Sequence, residues 1–195
     1  MARKNAASGR QGYNIYLFWA ILALPVPWMA LSYLRDHKFD LVLWTGDFAG
    51  WFLIVTLCIT PLLLLFGPLP GLKISRRYLG VASCLYTLLH LAIWLAHVPP
   101  RAVLQSFVRP SVLPGWIALA ILLPLALTST DAAVARMGTG WKRLQRWVYA
   151  AVVLSAVHWL MVTENLAMAI LSFAPLAGLS LWRFWRNRRR YGRSG

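Results

Sequence analysis

Acidic side chains are scarce in this sequence. Its 195 residues hold 5 Asp plus Glu against 20 Lys plus Arg, a formal charge of +15. Charged residues of both signs reach only 13%, about half the share of a soluble domain. So thin a complement argues against an ordinary soluble enzyme. Cysteine is equally sparse. Cys58 and Cys84 stand inside apolar runs, with no CxxC, CxxCH or zinc-type cluster, and read as small buried hydrophobes. GxGxxG, Walker A and HExxH are also missing. No polar connection exceeds about 15 residues, whereas a βαβ unit alone needs about 30. A soluble nucleotide-binding domain therefore has no room, and no internal repeat is visible.

What is present is apolar. Hydrophobic residues make up 59% of the chain and include 11 Trp, against about 45–50% apolar content in soluble domains. A disordered basic tail lacks such residues. A nucleic-acid binder shares the positive charge but not the long uncharged runs. An integral membrane protein accounts for both, because the runs span and the charge collects on one side.

A span needs roughly 20 apolar residues. Six runs fit, at about 14–34, 49–67, 79–97, 113–129, 144–163 and 166–184. The first follows a short basic N-terminus and has no A-x-A-like cleavage site, so it reads as a spanning helix rather than a signal peptide. Pro25 and Pro27 predict a kink or break in it. Thr163, Glu164 and Asn165 predict a tight hairpin between the last two runs. With the N-terminus cytoplasmic, the inner segments hold Arg3, Lys4, Arg10, Lys73, Arg76, Arg77, Arg136, Lys142, Arg143, Arg146 and the arginines of the 183–193 stretch. The opposite face holds only Arg35, Lys38, Arg101 and Arg109. This bias places both termini inside. The expectation is an all-α integral membrane protein, a bundle of about six transmembrane helices with both termini cytoplasmic. It forms one transmembrane domain over 1–195, with a core at about 14–184 and a basic cytoplasmic tail at 185–195. The tail reads as a contact to anionic membrane lipids and not to nucleic acid.

Ionisable residues inside a membrane are costly and point to function. With the second span starting at 49, the candidates are His90 and His158, with His97 near a helix end and Gln145 as a polar residue at the inner edge. His37 falls in an outer loop and reads as solvated. His90 follows Arg77 by 13 residues and His158 follows Arg146 by 12, climbs of roughly 18–20 Å along two helices of the same direction. The two imidazoles are therefore about level and can face each other across a planar cofactor. Ser83 and Thr87 before His90, and Ala151 and Ser155 before His158, keep to the histidine faces and leave a slot, which plain close packing explains equally well. Other readings stay open: hydrogen-bonded histidines sealing helix contacts, a small transporter or proton relay, or a non-catalytic membrane scaffold. A relay usually adds an intramembrane carboxylate, and none falls within these spans. The tryptophans, largely near helix ends, read as an interfacial belt.

Several stretches resemble a known family. RRYLG at 76–80 with LYTLLH ending in His90, LPLALTS at 123–129, RMGTGWKRLQRWVY at 136–149, and Val157-His158-Trp159 are similar in order and spacing to MsrQ/YedZ proteins. These belong to the ferric-reductase-like transmembrane group, and the resemblance covers about residues 45–163. It implies a b-type cytochrome of the bacterial inner membrane, multi-pass, with haem b on His90 and His158, and FMN as a further cofactor. It implies an electron-transfer subunit rather than a catalytic one. Electrons would come from the quinone pool or a flavin reductase and pass to a periplasmic molybdopterin methionine sulfoxide reductase, the MsrP-like partner. The outer loops at about 35–48 and 98–112 would dock that partner. On this reading Arg77, with Arg76, Arg143 and Arg146, would meet haem propionates or a flavin phosphate on the inner side, although simple positive-inside anchoring accounts better for most of them. The family pattern Trp-x-x-Leu-His-Arg here reads Trp141-Lys142-Arg143-Leu144-Gln145-Arg146, so Gln145 stands at a family histidine position. That departure implies a one-haem member, or one that holds a second, cytoplasmic-side haem differently or takes electrons by a modified route.

Overall fold

Two prolines shape the first span. In the computed structural model, which describes residues 15–67 and 71–191, α1 (Ile15–Ala23) and α2 (Pro25–Arg35) are separated at Leu24. Proline in the first turn of α2 loses nothing by lacking an N–H there, while its ring ends the preceding helix. Residue 14, Arg3, Lys4, Arg10 and Arg193 of the expectations above lie outside the described residues, as do the side chains of Lys73 and Arg190.

The described residues form helices and connecting turns, with no strand among them. α3 (Leu41–Phe66) starts earlier than the apolar run suggests. Asp40 is its N-cap, the carboxylate accepting from the Leu43 N–H at 2.9 Å. α4 (Leu72–His97) returns beside it. α5 (Pro100–Ser106) is a short helix where only a loop was expected. α6 (Leu113–Leu127) bends by 93° into α7 (Asp131–Met137). Gly138, at φ 53, turns the chain into α8 (Thr139–Gln145). α9 (Val148–Val162) and α10 (Leu166–Tyr191) follow, joined by the expected tight turn, in which Asn165 Oδ1 caps the Met168 N–H.

By length and composition, four helical segments of the described residues are fit to cross a membrane: Ile15–Arg35, Leu41–Phe66, Ile74–His97 and Leu166–Arg186. A fifth is added if α6 and α7 count as one bent span. At 15 residues each, α6 and α9 are about 22 Å long, short of a hydrocarbon core of about 30 Å.

α3 packs chiefly on α4, α6 on α9, and α10 along α3. One core joins Leu53 and Leu57 of α3 to Cys84, Leu122, Leu125, Ala151 and Val152. Both cysteines are free and buried. Large apolar side chains also cover the outside, among them Leu34, Phe66, Leu127 and Leu171. That inversion suits a lipid solvent, in which only the backbone must be satisfied internally.

Candidate functional site

The chemistry of an imidazole depends on which nitrogen keeps its proton. His90 Nδ1 lies 2.8 Å from the Val42 carbonyl oxygen at the start of α3. His158 Nδ1 lies 2.7 Å from the Ser111 carbonyl oxygen, just before α6. A carbonyl only accepts, so each Nδ1 carries the proton and donates. Each Nε2 is left with its lone pair, the arrangement found in metal-binding histidines. The ring centroids are 6.5 Å apart, with planes at 75°. Two imidazoles bonded to opposite sides of one metal at about 2 Å put their ring centres roughly 6–6.5 Å apart. His90 and His158 would be the residues to hold a metal-centred group in this cavity, each through Nε2, and their separation suits one such group between them.

Glycine lets the rings sit there. A Cβ on Gly46 of α3 would fall 3.0 Å from His90 Nδ1, and a Cβ on Gly115 of α6 would fall 3.2 Å from the His158 ring. Each imidazole therefore lies against the bare backbone of a facing helix. Thr45 Oγ1 spends its hydrogen on the Leu41 carbonyl at 2.7 Å and stands 3.5 Å from His90 Nδ1.

Around the pair is a cavity of about 320 Å³ walled by α3, α4, α6 and α9, within the range of ligand sites, about 300–1,000 Å³. Ser83, Thr87 and Ser155 of the expected slot line it, while Ala151 belongs to the apolar core instead. Ser83 Oγ is spent on the Ala49 carbonyl at 2.8 Å. Three tryptophans, Trp94, Trp116 and Trp159, line the cavity. Trp159 packs on Gly50 and Phe173, and Trp116 donates from Nε1 to Ser106 Oγ at 3.0 Å, which pins α5 across that end.

One carboxylate does fall within a helix long and apolar enough to span, where none was expected. Asp47 lies well inside α3, is 7% exposed and lines the cavity, as does Asp40 at the helix start. Placing 35–48 in a loop hid it. The signal that would have found it is Asp40 itself, a capping residue directly before an apolar run. The facing glycines and the two carbonyl acceptors were likewise missed.

Arg77 and Gln145 lie at the other end of the bundle, outside the cavity lining. Arg77 Nη1 pairs with Asp131 Oδ1 at 2.6 Å, tying α4 to α7. Arg76 Nη1 donates to Thr60 Oγ1 at 3.0 Å. Gln145 Nε2 donates to the Leu125 carbonyl at 3.1 Å and approaches Thr128 Oγ1 at 3.4 Å, while Trp141 Nε1 donates to the Thr128 carbonyl. These bonds serve carbonyls left open at the end of α6. His97 is exposed and bonded to its own helix at Ile93, and His37 is an exposed loop residue beside Tyr33.

A family model described as the ferric reductase like transmembrane component matches residues 45–156. Proteins named protein-methionine-sulfoxide reductase heme-binding subunit MsrQ, from Brucella ovis, Brucella canis and Brucella suis, are each 37% identical over 148 residues, 72% of this chain and 66% of the relative. The matched stretch is thus just under two thirds of those relatives' length. No solved structure matches the chain. The matched region holds most of α3, all of α4 and α6, and α9 as far as residue 156; it includes His90 and ends two residues before His158. The chain belongs to the ferric-reductase-like transmembrane family, in its MsrQ/YedZ branch.

Proposed function

We propose that this chain is a haem-binding membrane subunit that passes electrons to a methionine sulfoxide reductase. His90 and His158 would hold one haem b between them. The observation that carries the reading is the pair of Nδ1–H donors committed to backbone carbonyls, with ring centroids 6.5 Å apart. Those bonds fix the tautomer and aim of each ring before any group arrives, which lowers the ordering cost of binding. When bound, a haem with two imidazole ligands supplies one-electron transfer and has no open position for substrate. The chain's part is to orient the group, enclose it among small and aromatic side chains, and set its electrostatics.

The relatives' printed names support a methionine sulfoxide reductase as partner; the finer role proposed here is what the family resemblance implies. The partner is a periplasmic, MsrP-like molybdopterin enzyme, and the donor is the quinone pool or a flavin reductase. The setting is the bacterial inner membrane, with both termini cytoplasmic and α6 and α9 serving as short spans within a six-helix arrangement. The tail arginines, laid over Trp182, Phe184 and Trp185, meet anionic lipid at that face. A flavin phosphate at Arg77 would require that guanidinium to exchange Asp131 for the phosphate. Gln145, held by Leu125, would have to leave its carbonyl to serve a second cofactor.

A proton or ion relay is the second reading, and Asp47 is the observation that favours it. The absorption spectrum of the purified protein separates the two. The haem reading expects a reduced α band of b type, lost in His90→Ala and in His158→Ala and kept in Gln145→Ala. The relay expects ion flux in liposomes from protein without a chromophore.

A further inference from the structure

One ionisable group in the cavity wall is not needed to hold the histidines. Asp47 follows Gly46, the residue against which the His90 ring packs. It is 93% buried by its 7% exposure, and it lines the cavity. No hydrogen bond or ion pair reaches its carboxylate among the described residues. The neighbouring Asp40 carboxylate, by contrast, is occupied as the cap of α3. No Lys or Arg is among the described lining residues. The carboxylate is not sealed off: no side-chain oxygen among the described residues is both buried and unbonded, so Asp47 opens onto the cavity and meets whatever fills it. Intramembrane carboxylates tend to be kept where they act on a charge that changes during function.

The histidine pair supplies such a charge. A metal held by two neutral imidazoles loses one unit of positive charge on taking up one electron, with no bond made or broken. While Asp47 is ionised, its negative charge in the cavity wall favours the oxidised state over the reduced one. For a unit charge in the protein interior, the bias amounts to about tenfold in the reduction equilibrium. Resting on the haem reading above, we infer that the Asp47 carboxylate sets the midpoint potential of the group bound at His90 and His158 and holds it low. The bound group is thereby a stronger electron donor to whatever docks at this end.

The test is a redox titration of the full-length protein in detergent, at one fixed pH, read from the reduced α band. Asp47→Asn and Asp47→Ser remove the charge in two shapes. Both are expected to raise the midpoint by about 59 mV, a tenfold shift for one electron. Asp47→Glu restores the charge and is expected to stay within about threefold of the parent. An unchanged or lowered midpoint in both neutral variants overturns the inference. Loss of the chromophore in both, with Asp47→Glu still loaded, also overturns it, because the carboxylate would then be an assembly requirement. A parent protein with no chromophore defeats the haem reading first and this inference with it, an outcome distinct from a loaded parent whose potential ignores Asp47.

Discussion

The two ends of the α4–α9 bundle treat polar side chains in opposite ways. At the histidine end, Gly46 and Gly115 admit two imidazoles against bare backbone, and each ring is fixed through one nitrogen while the other stays free. At the arginine end, polar side chains are consumed: Gln145 by Leu125, Trp141 by Thr128, Arg76 by Thr60 and Arg77 by Asp131. A polar residue inside an apolar bundle therefore does not make a site. It needs a free valence and a space to aim it into, and the histidine end provides both.

The sharpest way to break this contrast is to remove the imidazoles. His90→Ala and His158→Ala should each abolish the chromophore, with thermal stability in detergent reduced far less. Survival of the band in either variant would mean that the pair is not the ligand set.

Gly50 tests whether the cavity wall is as rigid as its ligands require. A Cβ there would stand 2.5 Å from Cζ3 of Trp159, whose ring is backed by Phe173 at 5.6 Å. The indole cannot slide freely, so Gly50→Ala should cost about 1–3 kcal/mol. A lowered thermal midpoint and a shifted tryptophan emission would report it. Gly178→Ala, with nothing within 4 Å, is the control and should gain up to about 1 kcal/mol from helix propensity.

Next in size are the two glycines facing the histidines. Gly46→Ala and Gly115→Ala put a methyl 3.0–3.2 Å from a ring, so the imidazole must yield by a few tenths of an ångström. The expected cost is about 1 kcal/mol, read as faster chromophore loss under competing haem-binding protein. Equal chromophore retention with the parent would show that the rings are not seated as tightly as the geometry requires.

The histidine pair was legible because depth can be counted: basic residues mark where a helix enters, and 1.5 Å per residue does the rest. The partners of the rings were not legible. Val42 and Ser111 act through backbone carbonyls, which every residue possesses, so no side-chain pattern announces them. Gly46 and Gly115 read as neutral members of apolar runs until a ring is known to lie against them. Asp47 was hidden by a rule that works on average, that charge marks a loop. Here the cap at Asp40 extends the helix through it. At α9 the reverse holds: the expected run at about 144–163 passes through Arg146, and the turn at Arg146 and Trp147 makes the helix begin only at Val148. Trp159 looked interfacial from its place near a helix end, yet it is 8% exposed because α10 folds back over it.

The smallest expected effect belongs to Gln145 and bears most directly on the contrast between the ends. Gln145→Ala removes a donor from the Leu125 carbonyl, which keeps Ser129 Oγ at 2.7 Å. Because the acceptor is not orphaned, the loss should stay near about 0.5–1.5 kcal/mol, the net worth of a hydrogen bond. The chromophore and its midpoint should not change, since the residue lies outside the cavity lining. A variant that keeps its stability but loses part of its absorbance would reverse the reading: the amide would then be attending to a bound group rather than to the end of α6, and the arginine end would be a second site.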